Sequence, residues 1–207
     1  DSDGDRVIFV DNHGKFIPGD YTCSIIASEV DSPVVVTPIS TSQIVDHIGK
    51  KVHRTKVGSP YVISGMKETR SKFGFEANGG GISAELMMTR DGGSTAIKLL
   101  NILARFKLTL DQSLSKLPKF YLFKTKIPYD WNLQERILAQ ATKNFRGIKT
   151  DKTDGVKIWM NEDSWILFRS SMNAPEFRIF AESSDEKMAK DLFRDGINLV
   201  KREVTKK

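Results

Sequence analysis

Residues 32–70, SPVVVTPISTSQIVDHIGKKVHRTKVGSPYVISGMKETR, decide the fold class. Ser32-Pro33 breaks whatever precedes it, and Val34-Val35-Val36 is an unalternated β-branched run, the pattern of a parallel strand buried on both faces. Ser42 caps a short helix through Ile48, and residues 51–56 return as a strand. Ser59-Pro60 then reads as a cap followed by a proline at the first helical position, opening a helix to about Arg70. Strands alternating with helices at this spacing predict a doubly wound α/β domain.

Outward from that core the alternation holds. Residues 6–11 form an apolar run closed by Asn12-His13-Gly14, and Asp20 is placed to cap a helix over 21–29. Downstream, 73–77 and 82–87 read as strands, and 91–106 as a helix with Ile97, Leu100, Ile102, Leu103 and Phe106 on its apolar face. Leu117-Pro118 and Pro128 bracket a change of pattern. Beyond it come a strand (120–125), a helix (133–144), strands at 155–160, 165–169 and 177–181, and a last helix after Ser184. That helix spaces Met188, Leu192, Ile197, Val200 and Val204 along one face. Consecutive strands flanked by helices predict an α+β unit with one sheet face covered, and a boundary near Pro118.

Composition excludes several classes. No apolar run is long enough to cross a membrane, and no signal segment with a basic flank and apolar core opens the chain, so a cytoplasmic setting is expected. The one cysteine, Cys23, allows neither an intrachain disulfide nor a thiolate metal site, and reads as a buried small hydrophobe. Net charge is +6, but part of it is the tail at 201–207, which reads as a solvated helix end. The basic residues do not alternate with aromatics, and no zinc, homeodomain or RNP signature is present, so no nucleic-acid partner is expected.

Three loops carry the candidate chemistry. Asp1-Ser2-Asp3-Gly4-Asp5-Arg6 sets carboxylates at alternate positions before a strand, and three such hard oxygen ligands can converge on a divalent cation if the loop curls. An EF-hand start is excluded, because Arg6 and Asn12 stand where glycine and glutamate are required. As residues alone, the three aspartates fit a solvated acidic turn equally well. Gly74-Phe75-Glu76-Ala77-Asn78-Gly79-Gly80-Gly81 follows a strand without the lysine of a P-loop or the glycine spacing of a dinucleotide fingerprint. Glu76 and Asn78, at alternate positions, point the same way from an extended segment, toward a polar ligand. Arg169-Ser170-Ser171-Met172-Asn173-Ala174-Pro175-Glu176 joins an arginine, hydroxyls, an amide and backbone N–H groups into a chemically sensible phosphate cradle, though by residues alone it is only a polar hairpin loop.

Together, and in this order, the loops resemble those of the α-D-phosphohexomutase superfamily, and the resemblance spans essentially the whole chain. D-x-D-G-D-R resembles its magnesium loop, which implies Mg²⁺ ligands at Asp1, Asp3 and Asp5 and places Arg6 beside the phosphoryl group. The second loop resembles the Gly-Glu-x-Ser-Gly-His sugar loop. Glu76 and Gly79 match it, Asn78 stands for serine and Gly80 for histidine, and the implied sugar contacts are Glu76, Asn78 and Gly79. Arg54-Thr55-Lys56-Val57-Gly58 resembles a turn of the active-site wall, with Lys56 implied as an acid/base or phosphate-touching group. Thr89-Arg90-Asp91-Gly92 resembles the Asp-Gly element after the sugar loop.

The third loop resembles Arg-Pro-Ser-Gly-Thr-Glu-Pro, which implies phosphate contacts from Arg169, Ser171 and Asn173. Met172 stands at that motif's glycine, where a methionine resists conformations open to glycine. The resemblance implies three segments: residues 1–16 as the end of a second α/β domain, 17–118 as a sugar-binding α/β domain, and 119–207 as a phosphate-binding α+β domain. The last implies an antiparallel sheet of the TATA-box-binding-protein type. It further implies a Mg²⁺-dependent interconversion of 1-phospho and 6-phospho hexoses through a phosphoserine and a bisphosphorylated sugar. The serine loop of such enzymes does not occur here, so the chain is expected to be inactive without further domains of the same enzyme. The alternative is a non-catalytic phosphosugar- or anion-binding module.

Overall fold

The computed structural model describes residues 1–206, and the chain divides into two compact units, the first Asp1–Pro118 and the second beginning at Lys119. In the first unit a small hairpin of β1 (Phe9–Val10) and β2 (Phe16–Ile17) leads into α1 (Gly19–Glu29). The strand expected over 6–11 is thus only two residues long, with Ile8 and Val10 turned to solvent. Pro18, not Asp20, is the residue at the α1 cap. Asp20 is instead buried in the first turn, where its carboxylate accepts the Ser42 N–H at 2.8 Å. A tertiary partner has taken the side chain that local pattern assigned to a cap.

β3 (Val34–Pro38) pairs in parallel with β4 (Lys51–Thr55) on one side and β5 (Phe73–Glu76) on the other. Val35 and Val36 are both fully buried, one on each face, as the unalternated run predicts. Val35, Phe73 and Phe75 join Cys23, Ile26 and Leu99 in one cluster, and Val36 joins Val62, Met66 and Ile82 in another. The crossovers are a 3₁₀ turn (Gln43–His47), with Ser42 Oγ accepting from Ile44 N–H at 3.1 Å, and α2 (Ser59–Thr69). Gly58 occupies the α2 cap, so Ser59-Pro60 sits inside the first turn, one residue later than read.

After β5 the sheet turns antiparallel. The single strand expected over 82–87 is two strands, β6 (Gly80–Ser83) and β7 (Met87–Arg90), giving the order β4-β3-β5-β6-β7. α3 (Gly92–Phe106) buries Thr95 and Leu99 and half-buries Ile102 and Leu103, while Ile97, Leu100 and Phe106 are exposed. The i, i+4, i+7, i+8 face from Thr95 is the inward one, which puts Ile97 and Leu100 outside it. A short α4 (Leu110–Leu114), missed in the sequence, ends this unit.

Cys23 is fully buried in this core, and burial pushes its thiol well above the usual cysteine range, so the thiolate is suppressed. A thiol reagent is therefore expected to leave Cys23 unmodified in the native chain and to label it only as denaturant opens this unit. Fast stoichiometric labelling in buffer would contradict the packing described.

The second unit is an antiparallel sheet of β8 (Tyr121–Pro128), β9 (Lys149–Asp151), β10 (Val156–Asn161), β11 (Ser164–Ser170) and β12 (Glu176–Ser183), in the order β8-β12-β11-β10-β9. α5 (Gln134–Asn144) and α6 (Glu186–Thr205) bury Ile137, Ala141, Leu192, Leu199 and Val200 against Ile158, Ile166, Phe168, Phe177 and Ile179. Each such large side chain, truncated to alanine, costs about 2–5 kcal/mol. Met188 is not on this stripe but half-exposed, since the inward row runs Ala189, Leu192, Gly196, Val200.

Both helices lie on one face of the sheet, as read, and the opposite face carries a buried polar cluster. There the Lys157 ammonium lies 3.6 Å from the centroid of the Trp165 ring, and the Trp165 indole donates to Glu182 at 2.8 Å. Lys157, Trp165 and Glu182 are all buried. The basic tail is an exposed helix end through Thr205 apart from half-buried Val204 and buried Glu203, whose carboxylate accepts Lys206 Nζ at 2.6 Å. Lys207 lies outside the described residues.

Candidate functional site

In the first unit the acidic loop curls. One carboxylate oxygen each of Asp1, Asp3 and Asp5 lies within 4.8 Å of the other two. Three like charges that close repel one another unless a cation sits among them or beside them. Two guanidiniums do sit beside them: Arg6 Nε pairs with Asp1 and stands 3.3 Å from Asp5 Oδ1, and Arg90 pairs with Asp5 Oδ2. Asp5 Oδ1 is buried yet makes no hydrogen bond, because the Arg6 approach lacks hydrogen-bond geometry. A buried acceptor so left on one of three converging carboxylates fits the hard-oxygen seat of a divalent cation.

The loop is anchored from the other side by the main chain. Gly92, the first residue of α3, donates its N–H to the Gly4 carbonyl at 2.8 Å, and Asp91 caps the same helix end by accepting the Ser94 N–H at 2.7 Å. Val7 donates to the Gly79 carbonyl at 3.4 Å. Gly79 holds a φ of +91°, and a Cβ there would lie 2.0 Å from the Val7 carbonyl oxygen. Only glycine lets the residues after the acidic loop run this close to the second loop.

That second loop is the turn between β5 and β6, and Glu76 is the last residue of β5. Glu76 is buried, and its Oε2 accepts Arg90 Nη1 at 2.6 Å. Asn78 does not extend alongside Glu76 in the structure. Its Oδ1 accepts the Gly80 N–H at 3.1 Å, and Gly79 N–H returns to the Glu76 carbonyl at 3.1 Å, so the amide shapes the turn. Lys56 follows β4, at the C-terminal edge of the parallel strands that also ends in Glu76, the edge where open α/β sheets place ligands. It is exposed and stands 5.8 Å from the Tyr61 ring centroid.

Sequence reading missed Arg90 as a site residue. The sign available was an arginine directly before the Asp91 helix cap and after a glycine-rich hairpin.

In the second unit, residues 171–175 connect β11 to β12. Arg169 is almost fully buried at the end of β11, with Nε donating to Asp154 Oδ2 at 3.0 Å. Burial holds its guanidinium below the usual arginine range, and the Asp154 charge opposes that shift. Ser171 is buried as well; its N–H donates to the Glu176 carbonyl at 2.8 Å, and its Oγ accepts from Asn173 N–H at 3.4 Å. Tyr129 OH and Ser170 Oγ are 2.6 Å apart. Met172 is exposed, and the only non-glycine residues with positive φ among those described are Arg70 and Lys107. The loop therefore closes without the backbone state that methionine resists.

Asp154, also missed, reaches Arg169 because Gly155 turns with φ +80° where a Cβ would meet the Phe168 carbonyl oxygen at 2.1 Å.

Comparison with known proteins places this architecture. A family domain described as phosphoglucomutase/phosphomannomutase, alpha/beta/alpha domain III, matches residues 18–121. A phosphoglucomutase/phosphomannomutase of Thermococcus kodakarensis is 37% identical over 97% of this chain and 46% of its own length. A structure from Burkholderia thailandensis, described as a phosphoglucomutase/phosphomannomutase family protein, superposes with a TM-score of 0.78 at 23% identity, over 97% of this chain and 45% of that one. The N-acetylphosphoglucosamine mutase of Aspergillus fumigatus, solved with GlcNAc-6P and magnesium, superposes with a TM-score of 0.68 at 16% identity, over 98% and 48%.

The chain thus spans about half the length of the curated relatives it matches. With the α/β/α layering of its first unit and the matched span of sequence, the chain belongs to the phosphoglucomutase/phosphomannomutase family.

Proposed function

We propose that this chain is the C-terminal part of a Mg²⁺-dependent phosphosugar mutase, an intramolecular phosphotransferase that interconverts 1-phospho and 6-phospho hexoses. Two observations carry the reading: Asp1, Asp3 and Asp5 bring their carboxylates together, and Asp5 keeps one buried oxygen without a hydrogen bond. Residues 1–16 read as the end of a preceding α/β domain, 17–118 as the sugar-binding domain and 119–207 as the phosphate-binding domain.

Asp1, Asp3 and Asp5 are the residues that hold the metal, which supplies Lewis-acid polarisation of phosphoryl oxygens when bound. Arg6, half-exposed beside them, is a counter-charge for a transferring phosphoryl group. Glu76 accepts hydrogen bonds from sugar hydroxyls, Asn78 and Gly79 hold the turn that presents it, and Lys56 is the proton carrier at the same strand edge. Arg169, Ser171 and Asn173 grip the phosphate that is not reacting. Reorientation of a bisphosphorylated sugar needs a phosphate site that accepts either end of it, and that is the role of these three residues. The phosphorylated serine that gives and receives the phosphoryl group belongs to further domains of the same enzyme. The cytoplasm, where sugar phosphates are made and used, is the setting that fits.

Calorimetry with Mg²⁺ and with a hexose 6-phosphate tests the proposal. Binding of the sugar phosphate that strengthens with Mg²⁺, with no turnover of hexose 1-phosphate even with a sugar bisphosphate primer, is expected. Glu76→Gln should weaken sugar binding about tenfold or more, the loss of a charge-assisted hydrogen bond. Sugar binding indifferent to Mg²⁺ would favour the binding-module alternative, and turnover by the chain alone would refute its dependence on further domains.

A further inference from the structure

Arg90 reaches two carboxylates that the preceding reading gives to different ligands. From the end of β7, its Nη1 donates to Glu76 Oε2 at 2.6 Å and its Nη2 donates to Asp5 Oδ2. The side chain is three-quarters buried, and both contacts use separate nitrogens of one rigid plane. On Asp5 the consequence is asymmetric: Oδ2 is taken, while buried Oδ1 has no hydrogen bond and only the loose Arg6 contact at 3.3 Å.

The path of the arginine stem is built into the loop it crosses. A Cβ on Gly80 would fall 2.5 Å from Arg90 Cδ and 3.1 Å from its Cγ. Glycine at 80 is therefore what lets the stem lie against the hairpin turn.

We infer that Arg90 is a positioning residue that fixes Asp5 and Glu76 together, turning one Asp5 oxygen toward the cation and setting Glu76 for the sugar. The assignment rests on the metal and sugar reading above. Carboxylates that ligate metals are held in turn by hydrogen bonds, and loss of such a partner typically costs 10–100-fold in affinity. Here that partner is a cation, so two physical effects oppose each other. Removing a positive charge beside Asp5 favours a divalent ion by Coulomb's law, whereas releasing the carboxylate disfavours it by disorder. The positioning role requires the second effect to win.

The test is Mn²⁺ binding, followed by electron paramagnetic resonance, to the parent chain and to Arg90→Gln, Arg90→Lys and Gly80→Ala. All three variants are expected to bind Mn²⁺ about 10–100-fold more weakly than the parent. Lysine keeps the charge but cannot span two carboxylates with a fixed fork, and alanine at 80 displaces the stem while leaving arginine in place. Cys23 labelling in buffer serves as the fold control, and an unlabelled thiol shows that the first unit is intact. Arg90→Gln binding as tightly as the parent or tighter, or Arg90→Lys matching the parent, overturns the assignment and leaves the metal reading standing. A parent chain that binds no Mn²⁺ overturns the metal reading, and the assignment with it.

Discussion

Replacing Gly79 with alanine is expected to detach the acidic loop from the sugar loop and to destabilise the first unit by about 3 kcal/mol or more. Two independent costs add. The φ of +91° lies where a residue with a Cβ costs of order 1–3 kcal/mol. The new methyl would also sit 2.0 Å from the Val7 carbonyl oxygen, a backbone atom that cannot swing away as a side chain could. The chain must shift at Val7 or at the turn, and either shift draws Asp1, Asp3 and Asp5 away from Arg90. Cys23 should then label at lower denaturant than in the parent, and Mn²⁺ affinity should fall along with it. Parental stability combined with parental Mn²⁺ affinity would show that this close approach is not part of the solution structure.

The second large effect belongs to the other unit. Asp154→Ala leaves the Arg169 guanidinium, about 4% exposed, without the carboxylate that offsets its burial. Breaking a buried pair from one side costs about 3–5 kcal/mol, against about 0–1 kcal/mol for a surface pair. All three tryptophans, Trp131, Trp159 and Trp165, lie in this unit, so tryptophan fluorescence in urea reports it separately from the first. The expected midpoint shift is large, and phosphate-loop binding should weaken as Arg169 loses its orientation. A loss under about 1 kcal/mol would mean that Arg169 behaves as a surface arginine.

These two positions show what a linear reading can and cannot reach. The valine run at 34–36 fixed a parallel strand because burial on both faces removes alternation, a purely local signature. The order of acidic, glycine-rich and Arg-Ser loops was likewise visible as residue types. Partnerships between distant segments were not. Asp20 reads as a cap until Ser42 is seen to claim it, and Asn78 reads as extending beside Glu76 until Gly80 N–H is seen to bond its oxygen within the turn. Arg90 and Asp154 looked like ordinary charges, because their meaning lies in Glu76, Asp5 and Arg169, which the fold alone brings near. The α3 stripe held at Ile102 and Leu103 and missed elsewhere for a different reason: hydrophobic type was counted, but Ile97 and Leu100 lie off the 3.6-residue row that starts at Thr95.

The bridge from Asp5 to Arg90 also has a place in the order of folding. It joins positions 85 residues apart, whereas β9 to β12 of the second unit pair in chain order. Closing so long a loop is expected to follow the sheet and α3, which together create the surface to be docked on. The acidic segment, held by a few polar ties, is then expected to arrive last and leave first. A bound cation would act on this chain as a late clasp rather than a nucleus, slowing release of the segment while leaving the speed of core formation unchanged.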